Sequence, residues 1–341
     1  MANVEGVEDA TVTRWFAEHV EAVVPPLDFS LIAGGHSNLT FKVTDRAGGA
    51  WVLRRPPLHH VLPTAHDMSR EHKIISALGP TPVPVAPAVG LCTDESVNGT
   101  PFYVMDFVEG HVLRTSDVAA SVFDEHQRRI AGESLVDVMA DIHAVDVDAV
   151  GLGDLGRREG YIERQLKRWY SQFEQSKTRE LPILDDVFNI LKARVPPQGP
   201  ATIVHGDYRL DNTMLGDDGR VKAVLDWEIC TLGDPLADVG LLMVYWSEAG
   251  DRLESLPSSP TMLPGFPSRK EVAARYAERS GRDLSDLDFY VAFGYWKLAC
   301  IIEGVYARYV GGAMGTVNTG FEHFGNQVVH LVEAAKAAVQ R

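Results

Sequence analysis

Thr202-Ile203-Val204-His205-Gly206-Asp207-Tyr208-Arg209-Leu210-Asp211-Asn212-Thr213-Met214-Leu215, followed by Val224-Leu225-Asp226-Trp227-Glu228, is the stretch on which the reading of this chain turns. Thr202 to Val204, Thr213 to Leu215 and Val221 to Leu225 are short β-prone runs, and Asp217-Asp218-Gly219-Arg220 is a turn signal, so the last two runs predict a hairpin. A polar loop framed by apolar strands can set several oxygen donors on one rigid edge, which is what a hydrated divalent cation needs. Mg²⁺ prefers near-octahedral oxygen coordination and takes one or two carboxylates or amides together with substrate phosphates. Asp207 supplies a carboxylate able to accept a hydroxyl proton, and Asn212, five residues on, an amide oxygen. Asp226, at the end of the next strand, adds the stronger metal ligand. A mere loop of caps and turns is the alternative for the first motif alone, and the second motif nineteen residues after Asp207 weighs against it.

Working outward, the N-terminal side predicts a small mixed region. Val12, Phe16, His19, Val20 and Val23 stand at helical spacing and Pro25-Pro26 stops that helix. Phe29 to Ile32, Leu39 to Thr44 and Ala50 to Arg54 predict an antiparallel meander. Asp67 is a candidate N-cap for a helix striped by Met68, Ile74, Ile75 and Leu78 and ended by Gly79-Pro80. Thr81 to Pro87 predicts an extended connector, and Phe102 to Phe107 another strand. Beyond Gly110 the pattern turns helical, around Phe123 to His143, Tyr161 to Gln175, Ile183 to Ala193, Arg269 to Ser280, Asp286 to Tyr309 and Phe321 to Val339. The expected fold class is α+β in two parts, residues 1–108 with a small antiparallel sheet and residues 109–341 mainly helical.

Composition bounds the function. The 341 residues carry 32 Lys plus Arg against 47 Asp plus Glu, a net charge of −15 that disfavours nucleic acid and anionic membranes as partners. Val239 to Trp246 is too short, and Tyr290 to Val310 too interrupted by Lys297, Glu303 and Arg308, for a span of about 20 apolar residues. Met1 to Ala10 lacks the basic and apolar regions of a signal peptide. Cys92, Cys230 and Cys300 show neither metal spacing nor a disulfide framework. A cytoplasmic protein is expected, and the oligomeric state stays open. His59, His60, His66 and His72 have no zinc-like spacing.

His205 to Asn212, Asp226 to Glu228 and Gly233-Asp234-Pro235-Leu236-Ala237-Asp238 resemble the aminoglycoside phosphotransferase and choline kinase-like branch of the protein-kinase-like fold. The resemblance implies a two-lobed protein-kinase-like architecture with ATP and Mg²⁺ in the cleft, GTP being the alternative donor. In phosphoryl transfer catalysis is mostly positioning and charge stabilisation. The resemblance makes Asp207 the catalytic base, Asn212 and Asp226 the Mg²⁺ ligands, and the downstream aspartate the brace of the catalytic loop. Gly34, Gly35, Ser37 and Asn38 sit where the branch has its nucleotide-binding loop; glycines there admit backbone N–H groups to phosphate oxygens, although G-G-x-S-N is also a good hairpin turn. Arg54 stands where the branch has its nucleotide-positioning lysine, with Arg55 as the competing register, and Glu71 is the implied partner of that cation, a solvent-facing glutamate being the alternative. Phe102 to Val108, with Asp106 and Val108, is the implied adenine-binding hinge. Val52 to Pro57, Ala65 to Glu71, Phe102 to Met105 and Gly160 to Trp169 are similar to the kinase-like domain of acyl-CoA dehydrogenase family members ten and eleven, which implies a hydroxyacyl-CoA acceptor.

The acceptor also has a reading from the residues. Arg157, Arg158, Arg164, Lys167 and Arg168 form a basic island in an acidic chain, suited to an anionic small-molecule hydroxyl acceptor, whereas a polycationic aminoglycoside would want carboxylates. A helix face with internal Glu–Arg pairing is the plainer alternative. Trp169, Tyr170, Trp246, Tyr295 and Trp296 are core aromatics or the wall of an acceptor pocket. His205 is expected to order the backbone and Asp211 to play a structural part. The expected activity is Mg²⁺-dependent transfer of the ATP γ-phosphate to a hydroxyl. The alternatives are an aminoglycoside kinase and a nucleotide-binding pseudokinase, the latter supported only by arginine at position 54.

Overall fold

The computed structural model describes residues 4–33, 38–58, 67–251, 259–311 and 321–340. Its elements are, in chain order, α1 (Asp9–His19), β1 (Asp28–Ala33), β2 (Leu39–Thr44), β3 (Ala50–Arg55), α2 (Met68–Leu78), β4 (Ala88–Cys92), α3 (Glu95–Asn98), β5 (Phe102–Asp106), α4 (Ser116–Val122), α5 (Glu125–Ala144), α6 (Tyr161–Ser176) and α7 (Pro182–Ala193). There follow β6 (Thr202–Val204), β7 (Thr213–Leu215), β8 (Val221–Val224), β9 (Thr231–Gly233), α8 (Leu236–Tyr245), α9 (Arg269–Ser280), α10 (Leu287–Val310) and α11 (Glu322–Ala338). The chain divides into two compact units, one of Met1–Gly110 with Lys222–Glu228, the other of His111–Val221 with Ile229–Arg341.

The first unit is built on an antiparallel five-stranded sheet in the order β1-β2-β3-β5-β4. Along β2, Leu39, Phe41 and Val43 fall on one face at the two-residue period of a strand and are buried, with Val12, Trp15 and Phe16 of α1 in the same cluster. The same period sends the neighbours Arg54 and Arg55 to opposite faces. Register pairs Arg54 with Tyr103 of β5, while Arg55 Nη1 donates to the carbonyl of Gly6 at 2.6 Å. Helix α2 starts where expected, because the Asp67 carboxylate accepts the N–H groups of Ser69 and Arg70. Helix α1 ends four residues earlier than the periodicity suggested. Val20 is extended and Ala22 takes φ +58°, so the turn toward Pro25 begins before Val23.

The second unit is helical, apart from a two-stranded β6–β9 sheet and β7. The turn after β7 is the expected one: Gly219 has φ +82° and Gly216 N–H donates to the Arg220 carbonyl at 2.8 Å. Helix α5 opens on a capping box of Asp124 and Gln127. Helix α10 packs against α6, α8 and α11 and is apolar over most of its circumference, as a central helix must be. Its closeness to α8 requires Gly240, where a Cβ would lie 2.4 Å from the backbone of Tyr290. Strands β4 and β9 and helices α3, α4 and α8 were not anticipated. None of the described helices is long and apolar enough to cross a membrane.

Candidate active site

In the first unit the site is a cluster of one cation and three carboxylates. Arg54 Nη2 donates to Asp226 Oδ1 at 2.7 Å. Its Nε lies 2.9 Å from Glu71 Oε2, a Coulombic contact off the line of a straight hydrogen bond, and Nη2 is 3.8 Å from Glu228 Oε2. Glu71 is only 2% exposed, which removes its solvent-facing alternative. Tyr103 Oη donates to Glu71 Oε2 at 3.0 Å and Asn38 Nδ2 to Oε1 at 2.7 Å. Asn38 is therefore in the cluster, its buried Oδ1 without a hydrogen bond among the described residues. Burial pushes the Glu71 carboxyl up against the pull of Arg54, with Asp226 and Glu228 adding to the rise. On Arg54 burial acts downward, and the carboxylates led by Glu71 outweigh it and raise its pKa.

Asp226 itself has φ +61°. Left-handed backbone costs an ordinary residue about 1–2 kcal/mol, less for Asp, and strain of this kind gathers where a side chain must be aimed. No group of three His, Cys, Asp or Glu side chains poised to hold a metal occurs among the described residues.

In the second unit the loop after β6 carries Asp207. Asn212 Nδ2 donates to the Asp207 carbonyl at 2.8 Å and to its Oδ2 at 2.9 Å. This fixes the carboxylate and turns the amide Oδ1 of Asn212 away, free of any hydrogen bond among the described residues and of the right chemistry for a hard cation. Arg209 reaches both neighbours, Nε at 3.4 Å from Asp207 Oδ1 and Nη1 at 3.1 Å from Asp211 Oδ2, and lies over the Tyr245 ring at 4.8 Å. Burial raises the Asp211 carboxyl, with Arg209 opposing. Burial first, then the nearby Asp207 carboxylate, pushes the Tyr245 hydroxyl up in pKa. Arg209, Asp211, Tyr245, Arg114, Trp246 and Thr261 are among the residues lining a cavity of about 150 Å³ beside the loop.

Asp238, in the first turn of α8, holds the loop backbone. Its Oδ2 accepts His205 N–H at 2.7 Å and its Oδ1 accepts Gly206 N–H at 2.8 Å, and His143 Nε2 is 3.3 Å from Oδ2. Burial alone would raise this carboxyl, yet His143, His205 and the Gly206 N–H outweigh it and hold it below the ordinary value. The brace implied by resemblance is therefore Asp238, while Asp234 accepts from Tyr290 Oη at 2.7 Å. His205 is fully buried, and its Nδ1 accepts the Asp207 N–H at 3.3 Å, a backbone-ordering part.

The other expectations distribute unevenly. Gly34, Gly35 and Ser37, like His59, His60 and His66, lie outside the described residues. Asp106 ends β5, its N–H bonded to the Pro87 carbonyl at 2.9 Å, and Val108 follows two residues on. In the basic island Arg158 pairs with Asp148 and Arg164 donates to the Arg157 carbonyl, while Arg157, Lys167 and Arg168 are exposed. Trp246 and Trp296 are core, Trp246 also lining the cavity. Lys297 was read only as a charge interrupting an apolar run; it is buried, with Nζ 3.1 Å from the Gly206 carbonyl. A lysine at a core position of an apolar helix was the one signal that could have found it.

The chain belongs to the phosphotransferase enzyme family, which it matches over residues 28–290. It is 33% identical over 293 residues to acyl-CoA dehydrogenase family member 10 of Mus musculus, covering 84% of this chain and 27% of that protein, so it spans about a quarter of that relative's length. A Ralstonia eutropha protein described as a candidate aminoglycoside phosphotransferase is 32% identical, with 97% of each chain covered and a TM-score of 0.82. A thermostable mutant of the aminoglycoside phosphotransferase APH(4)-Ia, solved with AMP-PNP and hygromycin B, shares the fold at a TM-score of 0.60 and 15% identity over 97% of this chain and 98% of that one. The fold is thus the protein-kinase-like α+β fold expected.

Proposed function

We propose that this protein transfers the γ-phosphate of ATP, with Mg²⁺, to the hydroxyl of a small anionic acceptor, of which hydroxyacyl-CoA thioesters are the favoured class. The observation that carries the reading is Asp207, a half-buried carboxylate with one oxygen fixed by Asn212, on a loop whose backbone is tied down by Asp238. Asp207 accepts the acceptor's hydroxyl proton as that oxygen bonds to the γ-phosphorus and the bond to the ADP oxygen breaks. Asn212 Oδ1 and the Asp226 carboxylate are the proposed ligands of Mg²⁺, which when bound neutralises phosphate charge. Arg54, oriented by Glu71, is proposed to steady the α and β phosphates; Asn38, with Gly34, Gly35 and Ser37, the phosphate tail; and the backbone at Asp106 and Val108, the adenine. An AMP-PNP complex of a protein with the same fold supports ATP as donor.

One observation of the structure favours an anionic acceptor over an aminoglycoside: Arg157, Lys167 and Arg168 are exposed on and before α6, where they would repel a polycation. The name of the mouse relative points the same way. The thiols of Cys92, Cys230 and Cys300 are buried and reduced, which suits the proposed cytoplasmic location. The test is ADP release from Mg-ATP across hydroxyacyl-CoA compounds, amino alcohols and aminoglycosides. A hydroxyacyl-CoA should be turned over, and Asp207→Ala and Asp226→Ala should each abolish transfer in folded protein. Unaltered turnover in either variant refutes the residue roles, aminoglycoside turnover alone refutes the acceptor class, and Mg-ATP binding with no ADP from any acceptor would make the protein a pseudokinase.

A further inference from the structure

Lys297 is the one lysine buried among the described residues, at 7% exposure in the middle of α10. A buried ammonium is costly unless charge and hydrogen bonds compensate it. Burial depresses its pKa, Asp238 and then Asp207 work against that depression, and Arg168 adds to it. Its Nζ donates to the carbonyl of Gly206 at 3.1 Å and lies 5.7 Å from the centre of the Trp169 ring, within cation–π range. The N–H of the same glycine is held by Asp238 Oδ1 at 2.8 Å. Gly206 is thus gripped from two sides by buried groups of opposite charge, in a backbone conformation, φ +87°, that other residues rarely adopt. The residue that follows is Asp207.

Resting on the phosphotransfer reading above, we propose that Lys297 is a positioning residue for the reaction: by fixing the Gly206 carbonyl it sets the rotation of the 206–207 peptide and hence the direction in which Asp207 presents its carboxylate. A charge-assisted hydrogen bond in a dry setting is among the stronger ways to fix a peptide plane. Asp238 holds the N–H edge of the preceding peptide and His205 Nδ1 the N–H of the 206–207 peptide, at a long 3.3 Å, so Lys297 is the group that holds the carbonyl edge.

The experiment uses the full chain. Lys297→Met keeps most of the side-chain volume and removes the donor and the charge, and Lys297→Arg keeps both. Two readouts are taken: kcat and KM for ADP release from Mg-ATP with a hydroxyacyl-CoA acceptor, and amide hydrogen exchange across residues 205–209. Lys297→Met should lower kcat by about 100-fold, the cost of misplacing a catalytic group by an ångström, and leave KM for ATP unchanged. It should speed exchange at 205–209 by about tenfold, the loss of one charge-assisted hydrogen bond, with α10 and α11 still protected. Lys297→Arg should recover most of both. Unchanged exchange at 205–209, or a loss confined to KM, overturns the proposal. If Lys297→Met loses protection throughout the second unit, Lys297→Gln, which keeps a donor without the charge, is judged by the same criteria. A wild type that releases no ADP refutes phosphotransfer, while exchange at 205–209 still decides whether Lys297 holds the loop.

Discussion

Replacing Asp238 is the sharpest stability test of the catalytic loop. The carboxylate is 1% exposed and accepts two backbone N–H groups, from His205 at 2.7 Å and Gly206 at 2.8 Å. A hydrogen bond to a charged group contributes about 1.5 kcal/mol at the low end of its range, so Asp238→Ala, which loses both, should cost about 3 kcal/mol. Asp238→Asn keeps one acceptor and sets an NH₂ group against the other N–H, and should cost about half as much, about 1.5 kcal/mol. For a unit of this size the alanine variant should lower Tm by roughly 6–12 °C. The effect has a pH signature. The folded pKa of Asp238 lies below its ordinary 3.8, so the ionised group adds stability that is fully present above about pH 4 and is lost as pH falls through the folded pKa. The side chain in Asp238→Asn does not titrate, so the Tm gap between wild type and this variant should narrow in acid. Thermal unfolding followed by circular dichroism from pH 3 to pH 8 measures it. An Asp238→Asn protein with wild-type Tm at neutral pH, or a gap that widens in acid, would refute the account of the brace.

Two further substitutions bear on the groups around it. Arg54→Met strips from Glu71 and Asp226 the cation that pairs with both and should cost about 3 kcal/mol, the cost of leaving the buried Glu71 charge without this partner, together with Mg-ATP affinity by calorimetry. Arg54→Lys should lose one charge-assisted contact, about 1.5 kcal/mol, and retain nucleotide binding; an Arg54→Lys protein as stable as the wild type would show that the guanidinium fork is not the organiser of the cluster. Gly206→Ala forces a Cβ onto a residue at φ +87°, where Ile229 Cδ1, 3.0 Å away, can swing aside. It should therefore cost about 1–2 kcal/mol from backbone conformation alone and depress kcat more than KM, and an unchanged unfolding midpoint would count against it.

How much of this was legible in the sequence depended on whether a signal was local. Asp67 announced α2 and the stripe Met68, Ile74, Ile75 and Leu78 its inner face, since caps and periodicity act within a few residues. Asp207 and Asn212 were legible because their hydrogen bonds span five residues of one loop. β9 was not: three residues long, it exists because β6, nearly thirty residues earlier, supplies its hydrogen bonds. The choice between Arg54 and Arg55 was open as well, because strand alternation says that the two diverge but not which faces the helix. The pairing of Arg54 with Tyr103 decides it, since Tyr103 Oη and Arg54 Nε converge on Glu71. Lys297 was hidden for the same reason in reverse. It acts on Gly206 across a sequence distance of 91 residues, and in its own helix it looks like a polar residue misplaced in an apolar run.

The arginine at 54 then ceases to be a weakness of the phosphotransferase reading. An ammonium is a point charge, whereas a guanidinium is a planar fork whose edges can meet two partners at once. Arg54 uses that width, with Nε toward Glu71 and Nη2 on Asp226 Oδ1. Asp226 stands in a left-handed conformation that its own backbone resists, and the 2.7 Å contact offsets part of that cost while directing the carboxylate. A lysine in this position would meet both carboxylates from a single nitrogen in place of two separate edges, and would direct Asp226 less firmly. The substitution and the strain therefore belong together: the wider cation holds the aspartate that the proposed metal requires.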